Sequence, residues 1–141
     1  MEAKPQLKQL PAKVWNQVFA LVKSFVRRNS RTMIENPEYE IGFNLLYDGK
    51  KVKASEVVRG SEAEIIFPPT PMGQLLLGTF HTHDGEADLS EFDRVESQKE
   101  AEKTGLPHIC FVFGQDSMGE GYTYTYEIFY PESYPEAWEL E

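Results

Sequence analysis

His81 and His83 stand one residue apart in "GTFHTH", and Ser90 and Asp93 follow as Ser-x-x-Asp in "SEFD". Side chains two residues apart on a strand point to the same side, so His81 and His83 offer two imidazoles to one ion. Neutral imidazole is the commonest metal ligand. Asp93 falls in the first turn of a helix opening at Ser90, where the helix dipole favours an ionised carboxylate. A loop over 84–89 can fold that helix start back over the strand end. Two imidazoles and one carboxylate suit Zn2+, one ion per chain. They leave a fourth tetrahedral position open, as a catalytic zinc site does and a structural one does not.

Zinc brings the pKa of a bound water from 15.7 in bulk towards about 7. Hydrolysis then needs a carboxylate to take that proton and return it to a leaving group. Glu38 and Glu40 in "NPEYEIG" supply candidates at the start of a strand that can neighbour the histidine strand. The two share one face, so spacing alone does not choose between them. The Ser90 hydroxyl is a candidate donor to a developing oxyanion. Each piece also has a plain structural explanation. A His-x-His is commonly a surface pair, Ser-x-x-Asp an ordinary capping box, and a Glu before a strand a solvated residue. Their coincidence on strand, loop and helix favours the metal site.

The elements that must carry these residues are readable from periodicity. Val14, Val18, Leu21, Val22 and Phe25 in "VWNQVFALVKSFV" lie at helical spacing, with Arg27, Arg28 and Asn29 closing the segment. "YEIGFNLLYDGKKVKASEVV" reads as two strands joined at "DGK", since an Asp-Gly pair supplies a tight hairpin turn. "AEIIFPP" reads as a strand stopped by Pro68 and Pro69, and "QLLLGTFHTH" as a central strand covered on both faces. "SEFDRVESQKEAEKTG" is a helix with a capped start and Gly105 at its end. "HICFVFG" and "GYTYTYEIFY" add two strands, with "GQDSMGEG" as the hairpin loop between them. The sum is an α/β domain, a single mixed β-sheet flanked by helices, spanning 1–141 with 131–141 as an acidic, proline-broken tail that Trp138 partly docks.

Composition bounds the rest. The chain has 141 residues, 40% hydrophobic and 26% charged, enough for one core without disulfides. Its 14 basic and 23 acidic side chains leave a formal charge of −9, a field that repels nucleic acid and anionic membrane. No run is long and apolar enough to span a bilayer, and "MEAKPQLKQLPAK" lacks the apolar core of an export signal, so a cytoplasmic location is expected. Cys110 reads as a small buried hydrophobe, and His108 as a packed or exposed strand residue.

An early strand Glu, then "HTH", then "SEFD" resembles the signature of the JAMM (MPN+) zinc metalloprotease family, and the order of elements is similar from about Val14 to Tyr130. The small stand-alone archaeal and prokaryotic members are the nearest in kind. The resemblance implies the MPN, cytidine-deaminase-like architecture, with His81, His83 and Asp93 as zinc ligands. It further implies Glu40 as general base, with Glu38 in reserve, and Ser90 as stabiliser of the tetrahedral intermediate. The activity implied is hydrolysis of the peptide or isopeptide bond after the C-terminal glycine of a ubiquitin-like or sulfur-carrier protein. "SEVVRGSEAEIIFPPTPMG" resembles the variable insertion that contacts substrate in that family. Asp84 stands where the family has proline, and the spacing between His83 and Ser90 is one residue shorter than usual. Two further readings share the fold: a non-catalytic MPN-type protein-binding module, and a zinc hydrolase acting on a small substrate linked to a carrier.

Overall fold

The computed structural model describes residues 11–35, 40–60, 65–119, 121–132 and 134. The apolar stripe near the N-terminus forms α1 (Ala12–Glu35), whose buried positions are Val14, Val18, Val22 and Met33. The helix runs past Asn29, where the sequence suggested its end. Asn29 turns its side-chain amide back to the Phe25 carbonyl (2.9 Å) instead of capping, and Arg31 pairs with Glu35 one turn on (2.9 Å).

β1 (Glu40–Tyr47) turns at Asp48, whose Oδ1 accepts from the N–H groups of Lys50 (2.9 Å) and Lys51 (3.0 Å), and returns as β2 (Val52–Ala54). The returning strand is broken rather than continuous. The Ser55 Oγ accepts the Asn44 N–H (2.8 Å), and pairing with β1 resumes only in β3 (Val58–Gly60). The expected "AEIIFPP" strand is not formed over its described part. Residues 61–64 lie outside the described residues, and 65–70 are irregular, because Pro68 and Pro69 have no N–H to give a ladder. This stretch is held instead by the Asn44 side-chain amide, which donates to the Pro68 carbonyl (2.8 Å).

β4 (Leu75–Glu86) is central, antiparallel to β1 and parallel to β5 (His108–Gln115). It outruns the expected strand, since Glu86 still pairs with Gln115, so the connection to the next helix is shorter than the loop over 84–89. α2 (Glu91–Thr104) makes the crossover that a parallel pair requires, and β6 (Tyr122–Phe129) closes the far side as a hairpin with β5. The described residues form a single mixed, open six-stranded sheet in the order β2-β1-β4-β5-β6, with β3 also on β1, and two helices: an α/β fold.

Alternation along the strands assigns the two faces. Phe43, Phe80, Ile109, Phe111 and Phe113 belong to the core under α1, where Phe43 and Phe80 stack at 5.1 Å and Phe25 meets both edge-on. Cys110 and Val112 face the other way, with Leu89, under α2. The inward positions of α2 are the small residues Ser97 and Ala101, so the helix lies close to β5. Gly105 ends it at φ 77°, a left-handed conformation that side-chain-bearing residues rarely adopt. Of the tail, Pro131, Glu132 and Tyr134 are described. Glu132 donates its N–H to Glu102 (2.7 Å) and Tyr134 packs 5.5 Å from Tyr130, while Trp138 lies outside the described residues. Among the described residues, no helix is long and apolar enough to cross a membrane.

His108 opens β5 at 2% exposure, and burial pushes its imidazole down from 6.5 to about 4. In that window the unfolded chain binds a proton that the folded chain refuses, so stability drops as the pH falls. The slope is about 1.4 kcal/mol per pH unit and the total about 3 kcal/mol. Urea unfolding of His108→Gln should therefore show a shallower acid limb between pH 6.5 and 4. A limb as steep as that of the unchanged protein would mean that this ring is hydrated in the folded state.

Candidate metal centre

Ser90 is the N-cap of α2 in extended conformation, and the capping box expected from Ser-x-x-Asp is formed in both directions. The Asp93 N–H donates to Ser90 Oγ (3.1 Å), and the Ser90 N–H donates to Asp93 Oδ2 (2.9 Å). This reciprocal closure fixes the Asp93 rotamer before any ligand is considered. The same carboxylate then faces the end of β4. His81 Nε2 lies 3.3 Å from Asp93 Oδ1, and His83 Nε2 lies 3.3 Å from Asp93 Oδ2. The two imidazole Nε2 atoms are 3.0 Å apart. Capping and a place in a metal-competent cluster, which compete as explanations in the sequence, are compatible here in one side chain.

Donor atoms of His81, His83 and Asp93 lie within 4.8 Å of one another and form a group that could hold a metal ion. The separations bear this out. Ligands about 2.0–2.1 Å from a tetrahedral ion sit about 3.3 Å from each other; here the two imidazole nitrogens are 3.0 Å apart and each lies 3.3 Å from a different Asp93 oxygen, close enough for one ion to draw the three groups together. The polar interactions of His81 are concentrated on Nε2, since its Nδ1 is buried with no partner.

The electrostatics follow from this packing. Burial works to raise the Asp93 carboxyl, but hydrogen-bonding contact with His81 and His83, with the Ser90 N–H, outweighs it and holds the group far below the usual carboxylate range. Contact with Asp93 raises His83, against the opposing effect of burial. Metal ligation needs a neutral imidazole, so the raised proton affinity of His83 sets protons in competition with a metal ion at this cluster.

Glu40 begins β1. The pair Gly42 and His81 is in register, and counting two residues back along β1 and two forward along antiparallel β4 brings Glu40 level with His83; the Ile41 N–H donates to Thr82 Oγ1 (2.9 Å) beside it. Burial raises the Glu40 carboxyl, partly offset by the charges of His83 and His81. Glu38, the reserve base, lies outside the described residues. Ser90 keeps its hydroxyl proton free to donate, because in the cap its Oγ acts as acceptor.

All five residues line one groove of ≈ 1090 Å³, bounded by α2, β1, β4 and the irregular stretch from Ile65 to Gln74. The groove also takes in residues to which the sequence gives no site role: Phe67 and Phe92 at its walls, Asn44, Gln74 and, far from the cluster, His108, which reads in the sequence as a packed or exposed strand residue. Strand alternation places His108 on the same face as Cys110, but only the pairing of β4 with β5 puts that face beside His81. The Cys110 thiol, read as a buried hydrophobe, is 2% exposed and pushed up to about 11 by burial, so it is a neutral part of the floor.

The chain matches no protein-family model and no curated protein.

Elemental analysis after dialysis against zinc should find about one ion per chain, lost in His83→Ala and Asp93→Ala. Ser90→Ala should keep the ion and lose about 1 kcal/mol of stability through the cap alone. Binding should weaken as the pH falls and His83 holds its proton more firmly. Equal metal content in all four proteins would show that the cluster is not the site.

Proposed function

We propose that this protein is a zinc-dependent hydrolase of the JAMM type, cleaving the peptide or isopeptide bond after the C-terminal glycine of a ubiquitin-like or sulfur-carrier protein. The observation that carries the reading is the meeting of His81, His83, Asp93, Glu40 and Ser90 on one groove, from strand, strand and helix in the family's order. The shortened connection between His83 and Ser90 still lets Asp93 reach both imidazoles, which supports the reading.

His81, His83 and Asp93 would hold a zinc ion, which would supply Lewis acidity for a carbonyl and a water near neutral pH. The remaining work falls to the chain's own groups. Glu40, with its raised proton affinity, accepts the proton of the attacking water and delivers it to the leaving amine. Ser90 directs its O–H towards the carbonyl oxygen as negative charge gathers there, while its Oγ lone pair stays engaged by the helix. The capping box keeps Asp93 from rotating away, so the ligand geometry does not have to be assembled when substrate arrives. Phe67, Pro68 and Phe92 offer an apolar wall that orients an extended chain and limits water.

On a ubiquitin-like fusion, Glu40→Gln should retain zinc and lose turnover by roughly 10²–10⁴-fold. Ser90→Ala should lose roughly 10²–10³-fold. Full turnover in Glu40→Gln would remove Glu40 as the base. Zinc-loaded protein inactive on every such fusion would favour the non-catalytic binding module instead.

A further inference from the structure

The groove does not end at the metal cluster. It continues along α2, past Ser97, Glu100 and Thr104 on one side, to a second polar end formed by Gln74 and His108. Gln74 Oε1 and His108 Nδ1 are both buried there without a hydrogen-bond partner among the described residues, and His108 is 2% exposed. Buried polar atoms are almost always paired, and an unpaired one is destabilising. Both residues line the groove, so a polar group that enters beside them and reaches these recessed atoms can supply the missing partner.

Their chemistry limits what that is. Burial keeps the His108 ring neutral, so it can donate or accept but carries no charge to attract an anion. The helix wall carries Glu96 and Glu100 beside Lys103, so it offers no net positive charge to a carboxylate, and Gln74 Oε1 calls for an N–H donor. An uncharged amide fits both. The distance fits a peptide: His81 pairs with Val112, and His108 lies four residues back along β5, roughly 13 Å at about 3.3 Å per residue.

We propose that Gln74 and His108 form a hydrogen-bonding subsite for a backbone amide of the substrate's acyl-side chain, about four extended residues from the bond cleaved at the metal centre. The proposal rests on the hydrolase reading above. The acyl side is favoured because it is a continuous extended backbone in peptide and isopeptide substrates alike, whereas the amine side is continuous backbone only in a peptide and a single lysine branch in an isopeptide.

The test is isothermal titration calorimetry of zinc-loaded protein with acetylated peptides ending in Gly-Gly, one a dipeptide and one a hexapeptide. The hexapeptide should bind the unchanged protein about tenfold more tightly than the dipeptide. That gain should vanish in His108→Phe, return in part in His108→Gln and shrink in Gln74→Leu, with dipeptide binding and zinc content the same throughout. Gln74→Leu keeps the test decisive should His108→Phe fail to fold, as its thermal unfolding would reveal. An equal gain in every folded variant would overturn the subsite and leave the hydrolase reading standing. Failure of the unchanged protein to bind either peptide would overturn both.

Discussion

The Asp93 carboxylate closes the first turn of α2 and faces two imidazoles at the end of β4, and most of the site follows from that double engagement. One oxygen accepts the Ser90 N–H at 2.9 Å while lying 3.3 Å from His83. The other oxygen meets His81. Displacing the helix start would therefore open the cap and scatter the donors together. Stabilisation of the helix and preorganisation of the metal group are the same interaction, so neither can drift without the other. Arg94 reinforces the position, donating to the Leu89 carbonyl (3.1 Å) and to Glu127 on β6 (3.1 Å).

The sheet supplies the rigidity that this arrangement needs. Phe80 and His81 are neighbours on β4 but serve opposite faces. Phe80 stacks on Phe43 beneath α1, which fixes the strand, and His81 then points into the groove. The opposite wall depends on a close approach. A Cβ at Gly42 would meet the Phe67 ring at 2.9 Å and the Phe80 carbonyl oxygen at 3.0 Å, so the irregular stretch can lie on β1 only because that position has no side chain. An irregular segment with few ladder bonds thus becomes a defined groove wall.

Charge is distributed in the same spirit. The chain as a whole is acidic, yet the carboxylates in the groove differ sharply in proton affinity. Asp93 is held ionised by imidazoles and a helix N–H, and Glu40 is raised by burial. Two carboxylates whose surroundings push them apart can take different parts in one reaction, one as fixed ligand and one as proton carrier. The neutral Cys110 thiol and neutral His108 ring below them leave the floor of the groove without competing charge.

The sequence by itself determined the local facts. Alternation put His81 and His83 on one side of a strand, Ser-x-x-Asp marked a helix start, and Asp48-Gly49 marked a hairpin, because each depends on neighbours within a few residues. It also determined the class of fold, since helical and strand periods follow one another clearly along the chain. It did not determine where α1 stops, because Asn29 bonds back to its own helix and Met33 is buried only in the packed fold. It gave a strand at 65–67 that does not form there, since apolar residues before two prolines can serve a groove wall as well as a ladder. Only the tertiary structure decided that Glu40 comes level with His83, that the cap and the imidazoles share one carboxylate, and that His108 lies in the same groove. Those relations are set by strand register and by the β4–α2–β5 crossover, which join residues far apart in the chain and leave no trace in local spacing.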